Sequence, residues 1–255
     1  MFNESVRGFL KKYSDGAIVS HTVNIIGMGE SSVAEEIENM FDAKNPTVAP
    51  YAKSGEVRLR ITAKAETADE ADRMCAPVVD EICSRLGDVV YGTDMNGIEE
   101  RVVALLKEKG KKIATAESCT AGYIPKRLTD IPGASEVFEC GIVSYSNDIK
   151  TKLLGVSPKT FETYGAVSEQ TAREMALGAK RVSGADIAIS TTGLAGPGGD
   201  GVLPGGLSFA AVTDGERTVV EKIVTGHEND REYNRYVTAS RALNLVRLML
   251  EEKIK

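Results

Sequence analysis

At 255 residues the chain is long enough for one large domain or two modest ones, and its 42% hydrophobic and 27% charged residues are those of a globular protein. A net charge of −6 argues against a general nucleic-acid binder, which needs a basic face. No apolar run approaches the roughly 20 residues of a membrane span, and the N-terminus lacks a signal-peptide core, so no membrane association and a cytoplasmic location are expected.

In chain order, a short amphipathic segment over Val6–Tyr13 ends at the turn Asp15-Gly16. Ala17–Ile26 alternates and is β-branched, which predicts a strand. Gly27-Met28-Gly29-Glu30 breaks it; this run lacks the spacing of a dinucleotide loop and reads as a plain turn. Ser32 with Glu35 has the form of a capping box for a helix reaching Phe41. Strands follow at Val48–Lys53 and Glu56–Ala63. A second capping box, Thr67 with Glu70, opens a helix to Leu86, and Val89–Gly92 is a last short strand. The order β-α-β-β-α-β in about 75 residues is that of a small α+β module, ferredoxin-like or KH-like. Nothing in it looks catalytic.

The turn formers Gly92–Gly97 mark a boundary, which divides the chain into residues 1–92 and 95–255. An amphipathic helix over Ile98–Lys109 leads to a strand at Lys112–Ala116 and a helix from Thr120 to Leu128. Val137–Tyr145 reads as a strand, with short helices over Asn147–Leu154 and Pro158–Tyr164. Ser168 is the expected N-cap of a helix over Glu169–Val182. A strand at Asp186–Ser190 runs into the glycine-rich stretch Thr191–Gly199. Two more, Gly206–Thr213 and Thr218–Val224, meet at Asp214-Gly215, and a long helix from Asp230 closes the chain. This alternation predicts an α/β domain, a mixed sheet between two helical layers, with its site at the carboxyl ends of strands.

Four cysteines without a C-x-x-C pair, and only two histidines, leave no basis for a metal site. A histidine-based triad would need His21, which sits in a strand of the first module, or His227, which sits in a polar loop. Any nucleophilic chemistry is therefore expected to use another base. Three strand ends deliver hydroxyl residues: Glu117-Ser118, Ser144-Tyr145-Ser146 and Ser190-Thr191-Thr192-Gly193. Ser118 reads equally as a nucleophile or as a helix cap. Cys119 is the stronger nucleophile by type, yet a buried thiol is the usual case. Lys150 is on general grounds a solvated charge; as a base it requires burial or a second cation to lower its pKa from about 10.4. Tyr145 can pass a proton, hold the lysine, or simply pack. The loop Gly193–Gly206 can approach a phosphate or merely bend, and Arg231 and Arg235 can grip a phosphate or be surface charges.

Thr115-Ala116-Glu117-Ser118-Cys119-Thr120-Ala121-Gly122, Tyr145-Ser146-Asn147 with Lys150, Gly165-Ala166-Val167-Ser168-Glu169 and Thr192-Gly193-Leu194-Ala195-Gly196-Pro197 together resemble the CinA C-terminal family over residues 95–253. That family includes the nicotinamide mononucleotide deamidases of PncC type. The first 92 residues resemble the middle domain of full-length CinA proteins; the resemblance does not extend to their molybdopterin-binding-like N-terminal domain. It implies hydrolysis of nicotinamide mononucleotide to nicotinate mononucleotide and ammonia, without metal or cofactor, by a homo-oligomer, most simply a dimer. Carried onto this chain, it implies a catalytic set of Ser118, Tyr145 and Lys150. Thr120, Gly122, Thr192, Gly193, Gly196, Arg231 and Arg235 are then expected to hold substrate, with N–H groups near Thr120–Gly122 or Gly193 on the oxyanion. The chain departs from the family at Leu203 and Leu207, where relatives often carry Lys and a polar residue, and in a longer loop through His227-Glu228-Asn229. These departures are expected to bear on specificity.

Overall fold

The computed structural model describes residues 16–254, so the segment expected at Val6–Tyr13 lies outside the described residues. The chain forms two compact units that divide between Met95 and Asn96.

The first unit is built on strands β1 (Ala17–Ile26), β2 (Thr47–Lys53), β3 (Glu56–Ala65) and β4 (Val90–Thr93), with helices α1 (Glu30–Glu36) and α2 (Ala68–Leu86). The sheet order is β2-β3-β1-β4, antiparallel throughout. This is the KH-like or ferredoxin-like arrangement expected from β-α-β-β-α-β. Alternation decides the packing: Val57, Leu59, Ile61 and Ala63 of β3 join Val23 and Ile25 of β1 in a core with Ala71, Cys75 and Ile82 of α2. Thr67 caps α2, accepting from Glu70 N at 3.2 Å, as its capping-box pattern predicts. The box at Ser32 and Glu35 does not form. Helix α1 starts at Glu30, behind Gly29 in an extended conformation, and gives way to a 3-10 turn at Glu38–Met40. The glycine pair ends the strand early enough for the helix to begin two residues ahead of the serine.

The second unit holds strands β5 (Ile113–Glu117), β6 (Phe138–Val143), β7 (Ile187–Gly193), β8 (Leu207–Thr213) and β9 (Thr218–Val224) in the order β6-β5-β7-β8-β9. The first three are parallel and the last two antiparallel, so the sheet is mixed. Helices α3 (Ile98–Glu108), α4 (Tyr123–Thr129) and α8 (Arg231–Leu250) cover one face, and α5 (Asn147–Leu154), α6 (Pro158–Tyr164) and α7 (Glu169–Ser183) the other. Strand β5 is buried along its whole length between these layers, which explains its apolar run without alternation. Ala116, Ala188, Leu154, Met175 and Ala179 pack together on the α7 side.

Helix ends follow their sequence signals where a cap is present. Ser168 accepts from Thr171 N at the start of α7, Ser146 from Ile149 N at the start of α5, and Asp230 from Tyr233 N at the start of α8; such caps contribute about 1 kcal/mol each. Three boundaries differ from expectation near the site, one being β7, which runs on to Gly193, three residues past Ser190. Helix α4 begins at Tyr123, three residues late, because Ala121 and Gly122 take left-handed conformations with φ of 49° and 88°. Strand β6 ends at Val143, which leaves Tyr145 in the connection rather than in the strand.

Candidate active site

The parallel register aligns Glu117 with Val143 on one side and with Thr191 on the other, so the carboxyl ends of β5, β6 and β7 lie side by side. A cleft of about 300 Å³ opens there. Ser118, Cys119, Tyr145, Asn147, Lys150, Ala166, Val167, Thr192, the 193–199 loop and Arg231 line it. No aspartate or glutamate is among these residues, and two cations are. In a chain of net charge −6, that is a local cationic site suited to an anionic ligand.

Ser118 follows β5 directly. Its N–H donates to Thr191 O at 3.0 Å, which extends the β5–β7 pairing by one residue. Its side chain caps no helix, since α4 begins behind Gly122 without a side-chain cap. Of the two readings of Ser118, the cap is the one the fold removes. The hydroxyl has no hydrogen-bond partner among the described residues and borders the cleft at 9% exposure.

Lys150 is the unusual group. It is 2% exposed, on the second turn of α5, and its Nζ donates to Tyr145 O at 3.0 Å. No carboxylate pairs with it among the described residues. Burial disfavours the ammonium and holds its pKa below the ordinary lysine value, with only the Cys119 thiol opposing. The general expectation of a solvated lysine fails here for a physical reason: α5 packs on α7, and Lys150 and Leu154, one turn apart, are its buried residues.

Tyr145 reaches Lys150 through its backbone carbonyl, not its phenol. Tyr145 is 62% exposed, and its phenol oxygen accepts from Arg231 Nη2 at 3.4 Å. Arg231 also donates to Gly196 O at 2.8 Å and so ties the start of α8 to the glycine loop. Thr192 is buried and donates to Ala166 O at 2.6 Å, which draws the Gly165–Ser168 turn to the cleft. Cys119 is buried and its pKa is pushed up to about 12 by desolvation, so it stays a thiol.

Of the residues expected to hold substrate, Thr192, Gly193, Gly196 and Arg231 line the cleft and Thr120, Gly122 and Arg235 do not. The Thr120 hydroxyl is buried against Thr191 Oγ1 at 2.6 Å. Arg235 Nη2 donates to Thr120 O at 2.7 Å, and its guanidinium lies 5.6 Å from the centre of the Tyr123 ring; it is a strut for the 118–122 loop. The N–H groups of Gly122, Tyr123 and Ile124 face the carboxyl of Glu117, the closest being Ile124 N to Oε2 at 3.2 Å. Ile124 N is therefore spent on a protein carboxyl, and Tyr123 N on Thr120 O at 3.2 Å, so neither is free for an oxyanion.

Leu207 is buried in β8, and neither it nor Leu203 lines the cleft. The His227 ring packs on Tyr233 with centroids 4.1 Å apart, away from the cleft lining. Reading the sequence missed Glu117, whose signal was an acidic residue closing an otherwise apolar strand. No cluster of His, Cys, Asp and Glu that could hold a metal is found among the described residues, and none of their helices is long and apolar enough to cross a membrane.

Residues 95–250 match the family model of the CinA C-terminal domain, and residues 20–92 that of the damage-inducible protein CinA KH domain. A putative competence-damage inducible protein of Clostridium beijerinckii is 51% identical over 232 residues, 90% of this chain and 57% of its own length. A CinA-like protein of Desulfovibrio desulfuricans is 43% identical, over 97% of this chain and 59% of its own length. The chain thus spans about three fifths of such relatives. The crystal structure of a competence/damage inducible protein from Agrobacterium tumefaciens superposes with a TM-score of 0.58 at 38% identity, covering 60% of this chain and 93% of that one. A CinA superfamily protein from Klebsiella pneumoniae gives 0.58 at 29% identity, over 61% and 96%. With both units matched in order, the chain belongs to the CinA family.

Proposed function

We propose that the second unit hydrolyses the carboxamide of nicotinamide mononucleotide to nicotinate mononucleotide and ammonia. The observation that carries this reading is Lys150: a buried lysine without a carboxylate partner, sharing an acid-free cleft with an unengaged serine. Burial makes the neutral amine accessible, and a neutral amine is what a histidine-free site needs as a base.

In this scheme Ser118 Oγ attacks the carboxamide carbon and passes its proton to Lys150 Nζ. The tetrahedral oxyanion is held by backbone N–H groups; those of Cys119 and Thr120 donate to no protein oxygen among the described residues and are the candidates. Collapse expels the amino group as ammonia, protonated by Lys150, and leaves an ester on Ser118. Water, deprotonated by the again neutral Lys150, cleaves the ester and regenerates the serine. Tyr145 contributes the carbonyl that orients the amine, and Arg231, with the Gly196–Gly199 loop, takes the ribose phosphate.

Incubation of the full chain with nicotinamide mononucleotide, followed by chromatography, is expected to show nicotinate mononucleotide growing in step with ammonia and without added metal. Recovery of the unchanged nucleotide overturns the proposal. One observation favours a second reading, a binding module without turnover: Lys150 Nζ is engaged by a carbonyl and not by Ser118. Calorimetric binding of the mononucleotide with no product over hours selects that reading.

A further inference from the structure

Glu117 is fully buried at the end of β5, immediately before Ser118. Ala116 packs with Leu154 and Met175 on the α7 side, so alternation points Glu117 toward α4. There its Oε2 accepts from Ile124 N at 3.2 Å, while Oε1 has no hydrogen-bond partner. Taking a carboxyl out of water is costly unless its bonds are made, at several kcal/mol for an ion. A surface Ser or Asp beside Tyr123 would cap this seven-residue helix at far lower cost. The carboxyl instead reaches from one end of the 118–122 loop to the other.

That loop needs such a clamp. Ala121 and Gly122 are successive left-handed residues, and a non-glycine residue in that region is strained, so it persists only where the surroundings over-determine it. Four ties do so: Ser118 N to Thr191 O, Thr120 Oγ1 with Thr191 Oγ1, Arg235 to Thr120 O, and Ile124 N to Glu117. The Ser118 hydroxyl has no bond of its own among the described residues, so this backbone alone fixes its Cβ and the rotamers through which the hydroxyl meets the cleft.

We propose that Glu117 is a positioning residue for Ser118: by closing the 118–122 loop onto the start of α4, its buried carboxyl group holds the Ser118 hydroxyl in the cleft that Lys150 lines. This deepens the reading of Ser118 as nucleophile and rests on it. The role needs an acceptor at the position of Oε2, at that reach. Glutamine keeps both; aspartate keeps the carboxyl group but withdraws the acceptor by one methylene.

The test uses the full chain and reads Ser118 directly, as its rate of covalent labelling by a fluorophosphonate, followed by peptide mass spectrometry. It is read beside kcat and KM for nicotinamide mononucleotide and the Kd of nicotinate mononucleotide. Misplacement of a reacting group by about 1 Å costs about 100-fold. Glu117→Asp and Glu117→Ala are therefore expected to lose about 10- to 100-fold in labelling and in kcat, with KM and Kd within about threefold of the parent. Glu117→Gln is expected to recover most of both. Parental labelling in Glu117→Asp overturns the proposal, and so does a Glu117→Gln as slow as Glu117→Asp. Should Glu117→Ala fail to fold, the aspartate and glutamine pair decides. A parent that neither labels at Ser118 nor releases ammonia refutes the nucleophile reading; a parent that labels, with an equal Glu117→Asp, refutes only the positioning role.

Discussion

At the scale of single residues, environment decides more than residue type. Lys150 and Ser118 are ordinary side chains whose use depends on what surrounds them, and only the fold shows that one is buried beside a carbonyl and the other left unbonded. The same fold takes away roles the sequence left open: Thr120, Gly122 and Arg235 serve the loop and not the cleft. The motifs that carry the family resemblance named these groups, which spacing alone left ambiguous, and Ser118, Tyr145, Lys150, Thr192 and Arg231 line one cleft. Which atom of each faces which partner was beyond the sequence, because a carbonyl and a phenol on the same tyrosine have one letter between them. A pH prediction belongs here. Lys150 must be neutral to accept a proton, and burial holds its pKa below the ordinary lysine value. The rate kcat/KM is therefore expected to rise with pH through an ionisation below about 10.4. Lys150→Arg, cationic at every accessible pH, is expected to lose that limb together with activity. A rising limb that survives in the arginine variant shows that another group is the base.

Between elements, the contact that places Lys150 is the approach of α7 to α5. A Cβ at Gly178 of α7 would lie 2.1 Å from Leu154 O, the last residue of α5. In an exposed helix, glycine to alanine stabilises by about 1 kcal/mol. Here the backbone clash wins, and Gly178→Ala is expected to destabilise by about 1–3 kcal/mol and to lower kcat as α5 shifts; an unfolding midpoint at or above the parent's contradicts it.

In the first unit, His21 bridges Asp94 at 2.7 Å and Asp72 at 2.8 Å, joining β1 to α2 and to the end of β4. Asp94 first and Asp72 second raise the His21 pKa, against burial. Against the pull of burial, His21 and the Thr22 N–H in turn hold Asp94 below the usual carboxylate range. A raised histidine stabilises fully below its unfolded value of about 6.5 and loses that contribution as pH rises through the folded value; the depressed Asp94 loses its share as pH falls through its own folded value. The clasp is partly exposed, so its worth is about 1 kcal/mol or less. His21→Gln is expected to lower the thermal midpoint at pH 6 and not at pH 9, and an equal deficit at both refutes the clasp. Existence and order of elements were legible from periodicity and caps. Boundaries failed at Ala121–Gly122, where a buried tertiary carboxyl overrides local helix propensity, and at Ser32, where the glycines decided.

For the molecule as a whole, the chain forms two compact units; the strand order of the first agrees with its β-α-β-β-α-β pattern, whereas that of the second was not legible, since the partners of β5 lie far apart in sequence. Charge is distributed with purpose: an acidic chain carries a cleft lined by Lys150 and Arg231 and by no carboxylate. Relatives such as the Clostridium beijerinckii and Desulfovibrio desulfuricans proteins run well beyond this chain's length. The central claim, amide hydrolysis by Ser118 in that cleft, is tested most directly by measuring ammonia released from nicotinamide mononucleotide by the full chain and by Ser118→Ala side by side. The account predicts steady release from the parent, and from the variant a rate lower by at least about 1,000-fold with nucleotide binding retained. Undiminished release from Ser118→Ala would contradict it.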